Sequence, residues 1–139
     1  MRKPEQRLWD ALRPALQQAG FVATRVENSV DDGFPDIIAQ QRSCGFVPIE
    51  LKARERPPKR ITSKALAQRY GLRRSQLNWW LAFGSAGGVG WIVTRLGSIN
   101  YLHRGADSQR INDMTFEEFC DCAIAMGSVH DIVAGMLKR

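Results

Sequence analysis

The sequence predicts a mixed α/β fold, neither a parallel βαβ array nor a sandwich. Three observations carry that reading. A helical apolar period opens the chain, three consecutive strand-like runs occupy residues 21–53, and a second helical run leads into two further strand-like runs. At 139 residues the chain fits one domain able to bury a core without staples.

The elements follow in order. In "EQRLWDALRPALQQA", residues 5–19, Leu8, Leu12, Ala15, Leu16 and Ala19 recur at helical spacing, and Gly20 is a natural C-terminal stop. Pro14 removes one helical hydrogen bond and is expected to kink or split that helix. "FVATRVE" alternates as a strand does, and "NSVDDG" is loop chemistry. "PDIIAQQ" and "FVPIELKA" read as a hairpin across "RSCG". Pro48 argues for an edge position or a bulge in the second strand. "ERPPKRITSK", with Pro57 and Pro58, reads as a mobile basic loop. A helix resumes near Arg74, with Ser75 as a cap and Leu77, Trp80, Leu81 and Gly84 on one side. "GVGWIVTRL" and "SINYLHR" are paired strands across "GS", and Thr115 with Glu118 forms a capping box that opens one or two C-terminal helices.

Composition excludes several classes. With 44% hydrophobic and 24% charged residues, disorder is not expected. No apolar run approaches the roughly 20 residues of a membrane span, and none follows the basic N-terminus as a signal peptide would. A soluble, intracellular protein is therefore expected. Cys44, Cys120 and Cys122 are odd in number, and Cys120-x-Cys122 lacks the second Cys or His pair of a zinc site, so all three read as packing residues. His103 and His130 are isolated and read as structural. Trp79, Trp80 and Trp91 read as core residues in preference to base-stacking ones. "GSAGG" lacks the lysine of a phosphate loop.

The charge is local. Of the net +6, residues 52–74 carry +8, from nine Lys and Arg side chains against Glu55, which leaves −2 for the rest. One-sided basicity of this kind points to phosphate contact; a merely solvated loop is the bland alternative.

Against that patch stands a group of ionisable residues on strands that otherwise read as buried. Glu50 and Lys52, two apart, project from one strand face, and Asp36 begins the neighbouring strand of the hairpin, where its carboxylate can approach Glu50. Two converging carboxylates raise each other's pKa unless a cation lies between them. Magnesium, which takes one or two carboxylates and completes its shell with water and phosphate, suits such a pair. A lysine beside it can hold an attacking water or neutralise charge developing on phosphate. The combination amounts to phosphodiester hydrolysis. An E-x-K alone is common by chance, and Asp36 as a turn cap with solvent-facing Glu50 and Lys52 is the alternative.

"GFPDII" followed by "PIELK" resembles the PD-(D/E)xK nuclease superfamily. "EQRLWDALRPALQQAGFVATRVENSVDDGFPDIIA" resembles the start of archaeal-type Holliday junction resolvases, and "IELK…LRRSQLNWWLAFGSAGGVGWIVTR" is similar to stand-alone VRR-NUC domains. The resemblance implies a restriction-endonuclease-like core, a mixed central β-sheet flanked by α-helices, over about residues 5–102 of a single 1–139 domain, with C-terminal helices at 115–137 outside it. It implies Asp36 and Glu50 as metal ligands, Lys52 as the catalytic lysine, and Glu5 completing the metal site, with Glu27 as a rival for that role. It further implies Gln76 positioning the lysine or a phosphate, and Ser29 in a loop contacting the scissile strand. Arg54, Arg56, Lys59, Arg60, Lys64, Arg73 and Arg74 would contact DNA.

The function so implied is a Mg²⁺-dependent endonuclease, with Mn²⁺ as a substitute, acting on branched DNA such as a four-way junction. A C₂ homodimer would supply two matching sites, through the C-terminal helices or the Trp-bearing helix. A less selective nuclease cutting single strands, flaps or ends, and a non-catalytic DNA-binding module, are the rivals. "ENSVDDGFPD" and "GGVGWIVTR" resemble small phage-encoded members, which implies a viral or prophage source and action in the host cytoplasm.

Overall fold

The computed structural model describes residues 3–26, 33–67 and 70–138. In chain order its elements are helix α1 (Pro4–Gln18), strands β1 (Val22–Arg25), β2 (Ile37–Gln41) and β3 (Gly45–Arg54), helix α2 (Arg74–Ser85), and strands β4 (Trp91–Leu96) and β5 (Ile99–Arg104). A 3-10 turn at Gly105–Asp107 then runs into helix α3 (Ser108–Ile111), helix α4 (Phe116–Cys122), strand β6 (Ala125–Gly127) and helix α5 (Val129–Lys138).

The six strands form one sheet in sequence order. All neighbours are antiparallel except β3 and β4, which are parallel from Ile49–Trp91 to Arg54–Leu96. A parallel pair needs a crossover, and residues 55–90, with the basic segment and α2, supply it. The sheet separates two apolar layers. Val47, Ile49, Leu51 and Val93 pack with Leu8, Leu12 and Leu16 of α1 and Ile132 and Met136 of α5. On the opposite face Ile92, Leu96 and Tyr101 pack with Ala65, Leu66, Leu72, Ile111 and Phe119. Each fully buried Leu or Ile contributes about 1.5–3 kcal/mol.

Several expectations need correction. Pro48 lies in the central strand β3, at neither an edge nor a bulge, paired with Ile38. The Leu51 amide points toward β2, where Asp36 accepts it. By the period of two, Pro48's nitrogen faces β4, one residue before that ladder starts at Ile49, so no ladder bond is lost. Helix α1 runs through Pro14 as one helix; Pro14 and Asp10, one turn before it, are both exposed. The basic segment is not a free loop. Lys64 bridges Thr115, Phe116 N–H donates to Ser63 O (2.7 Å), Ala65 N–H to Met114 O (3.2 Å), and the Asn112 amide holds both the N–H and the C=O of Leu72. In α2 the buried residues are Gln76 and Trp80, whereas Leu81 is exposed. Gln76 performs the capping expected of Ser75: its side-chain oxygen accepts from Arg73 N–H at 2.9 Å.

Other expectations agree. Thr115 and Glu118 exchange the two bonds of a capping box. β4 and β5 turn at Gly97–Ser98, with Gly97 at φ +65°, the left-handed conformation such tight hairpins use. The three cysteines are free. His103 is buried in the second layer, where Nε2 donates to Phe119 O at 2.8 Å. Among the described residues no helix is long and apolar enough to cross a membrane.

Candidate active site

Hairpin register builds the site. The turn at residues 42–44 is fixed by Gln41, whose side-chain oxygen accepts from Ser43 N–H and Cys44 N–H, and by Gly45 at φ +70°. That turn sets Ile37 opposite Ile49, so one step further Asp36 stands opposite Glu50. Directly opposed like charges are destabilising. Nor does the sheet provide water for Glu50, which is fully buried, as Lys52 and Gln76 nearly are.

The three buried polar side chains are joined. Lys52 Nζ donates to Gln76 Oε1 at 3.0 Å, and Gln76 Nε2 donates to Glu50 Oε2 at 3.1 Å. Asp36 Oδ2 accepts from Leu51 N–H at 2.9 Å, which fixes that carboxylate against β3. Glu50 Oε1 has no hydrogen-bond partner. Burial pushes the Glu50 carboxyl well above its usual range and the Asp36 charge pushes it further, while Lys52 and Trp80 pull the other way.

Glu5, in the first turn of α1, is half-buried and feels the charges of Lys52 and Asp36. Burial raises its pKa; Lys52 lowers it, Asp36 raises it, and Arg25 and Arg73 lower it. The structure therefore brings together Asp36, Glu50, Lys52 and Gln76, with Glu5 near enough to feel their charge but outside their hydrogen-bonded group. Ser29 and Glu27 lie outside the described residues.

Beside Glu5 opens a cleft of about 790 Å³, lined by Lys3, Glu5, Arg25, Arg54, Arg56 and Tyr70 among others. Arg54, at the end of β3, lies over the Tyr70 ring at 4.7 Å and donates to Ala65 O at 3.0 Å. Arg56, Lys59 and Arg60 are exposed on the anchored segment, as are Arg73 and Arg74 at the start of α2. Lys64 turns away from the cleft to pair with Asp113 at 3.5 Å. Lys3, Arg25 and Tyr70 of the cleft are not singled out by the sequence. Arg25, which donates to Gln6, ends a strand only four residues long, and Tyr70 sits in a turn with no periodicity to mark it. A cation closing a strand beside the acidic loop was the available signal for Arg25.

The donor set fits a hard divalent cation. An orphaned, buried carboxylate oxygen beside a second carboxylate is the kind of oxygen pair magnesium takes, with water and phosphate completing its shell. Among the described residues no three His, Cys, Asp or Glu side chains gather as a complete cage, so Glu5 would act through water.

No family model matches the chain, and no curated protein does. Among solved structures the chain is similar to Hjc, a Holliday junction resolvase from the archaeal hyperthermophile Archaeoglobus fulgidus. The two share 22% identity at a TM-score of 0.52, over 73% of this chain and 77% of that one. The fold is restriction-endonuclease-like: a mixed six-stranded sheet flanked by helices. The likeness is one of fold and does not bear on the VRR-NUC resemblance.

Proposed function

We propose that this protein is a metal-dependent DNA endonuclease that hydrolyses phosphodiester bonds in branched DNA, working as a homodimer. The observation that carries the reading is the buried chain Lys52–Gln76–Glu50, facing Asp36, on a strand whose next residues, Ala53 and Arg54, line a basic cleft. A fold gains nothing by burying a carboxylate and an ammonium beside a second carboxylate on one sheet face; strongly perturbed groups beside a cleft are a mark of catalysis. The resolvase-like fold supports the choice of a junction as substrate.

A Mg²⁺ or Mn²⁺ ion held by Asp36 and Glu50 would supply positive charge against the attacked phosphate. The chain's own residues do the rest. Gln76 holds Lys52 Nζ at a fixed place, from which the ammonium orients a water or offsets charge developing on the phosphate oxygens. Glu5, half-buried at the cleft's edge, accepts a proton from water more readily than an exposed carboxylate would. Arg56, Lys59 and Arg60, carried on a segment tied to residues 112–117, meet the DNA backbone without first having to be ordered.

The test is cleavage of a labelled four-way junction beside linear duplex and single strand, with Mg²⁺ or EDTA, for wild type and Lys52→Ala. Paired, metal-dependent cuts in the junction alone, lost in the variant, are expected. Cutting of all three substrates moves the function to a general nuclease. Binding without cutting leaves a DNA-binding module and ends the enzymatic reading.

A further inference from the structure

Helix α2 buries two side chains, Gln76 and Trp80, four residues apart and so on one helix face. Gln76 serves Lys52 and Glu50. The Trp80 indole nitrogen is buried with no partner inside hydrogen-bond geometry, and Glu50 Oε1 is in the same condition. Buried polar groups are rarely left unpaired. Here one is a donor only and the other an acceptor only. They also lie close together: Trp80 stands one turn beyond Gln76, which bonds Glu50, and the Trp80 ring meets the Gly90 position together with Pro48 O, two residues from Glu50 on β3.

The rest of the indole is held so as to aim that N–H. Its six-membered ring lies against the backbones of Gly90 and Gly105, just before β4 and just after β5. A Cβ there would come within 2.7 Å and 2.5 Å of the ring. Gly105 N–H donates to Gly90 O at 2.8 Å, which fixes the slot. Trp79 and Phe83 meet the ring edge-on, with centroids 5.2 and 6.0 Å away. Only glycine admits the ring at those two positions.

We propose that Trp80 is a positioning residue, whose slot-held indole N–H serves the Glu50 oxygen that Gln76 leaves unused. The carboxylate is then held from both sides, by Gln76 at Oε2 and by Trp80 at Oε1. Each carboxylate oxygen has two acceptor sites, so one held by an N–H can still ligate a cation. The role rests on the proposed reading of Glu50 as a metal ligand, and carboxylate ligands are commonly oriented by such outer partners.

Two measurements test it. In the metal-free ¹⁵N-labelled protein, the Trp80 indole resonance is identified by its loss in Trp80→Phe, which keeps a ring in the slot. That resonance should move in Glu50→Gln, while those of Trp9 and Trp91, in the opposite layer, stay put. By calorimetry with Mn²⁺, Trp80→Phe should bind about tenfold more weakly than wild type. An indole resonance indifferent to Glu50→Gln overturns the proposal, as does Mn²⁺ affinity unchanged in Trp80→Phe. If Trp80→Phe fails to fold, Gly105→Ala, which crowds the ring, takes its place in the Mn²⁺ titration, with the same loss expected. Should wild type bind no Mn²⁺ and cut no DNA, the nuclease reading falls and the positioning role with it; the indole response then reports only whether the hydrogen bond exists.

Discussion

Replacing Gln76 by leucine keeps most of the side chain's volume and removes three hydrogen bonds at once. Two of them reach charged, buried partners, Lys52 and Glu50, and the third holds Arg73 N–H at the start of α2. Bonds to charged groups are worth about 1.5–3 kcal/mol each, and a helix-end bond about 1 kcal/mol. Water entering from the cleft restores part of this, so the expected loss is about 3 kcal/mol. For a domain of this size that lowers Tm by roughly 10 °C. Released from Gln76, the ammonium shifts from its place, and a misplacement of about 1 Å costs on the order of 100-fold in rate. Urea unfolding reads the first effect, and single-turnover cleavage at saturating DNA reads the second, with DNA affinity little changed. A Gln76→Leu protein within about 0.5 kcal/mol of wild type, cutting at the wild-type rate, would refute the reasoning, because the buried chain would then hold nothing in place.

Glu50→Gln removes a buried charge opposed by Asp36, so it should raise stability by about 1 kcal/mol while abolishing cleavage; thermal melts and the junction assay check the pair of effects. Substituting Arg56, Lys59 and Arg60 together should flatten the salt dependence of DNA binding by about one unit of log–log slope for each phosphate no longer neutralised; an unchanged slope removes that segment from the interface. His103 is buried, and burial lowers its pKa below the usual value near 6.5, partly countered by the bond to Phe119 and the charge of Asp107. The unfolded chain then binds the proton more tightly than the fold does. Stability from this group is complete above about pH 6.5 and is lost as pH falls through that value toward the lower folded-state pKa, by at most about 1.4 kcal/mol per pH unit. Urea midpoints above and below that pH should separate in wild type and draw together in His103→Gln.

The site was legible because its information is local. Asp36, Glu50 and Lys52 lie on one hairpin, so the turn at 42–44 and a period of two suffice to bring them together. Gln76 follows in the first turn of the next helix. What escaped was set by distant partners. β6 is three residues long and exists through pairing with Asn100–Leu102 of β5, which nothing within "CDCAIAM" announces. The basic segment reads as mobile because its anchors are sparse: Ala65, Leu66 and Leu72 are scattered among charges, and its clamps come from Asn112 and Thr115, some 40–50 residues downstream. Leu81 fits the helical apolar pattern yet is exposed, because α2 presents to the sheet the stripe of Gln76 and Trp80 instead.

The single parallel pairing, β3 with β4, has a kinetic corollary. The β2–β3 and β4–β5 hairpins close over short loops, whereas joining them requires the long connection through residues 55–90 to close first. If the hairpins form first, Glu50 and Lys52 stay hydrated until α2 docks, and the expense of drying them would fall after the rate-limiting step. Substitutions at these two positions should then alter how fast the protein unfolds and leave its refolding rate nearly untouched, so that the candidate site is assembled without slowing the search for the fold.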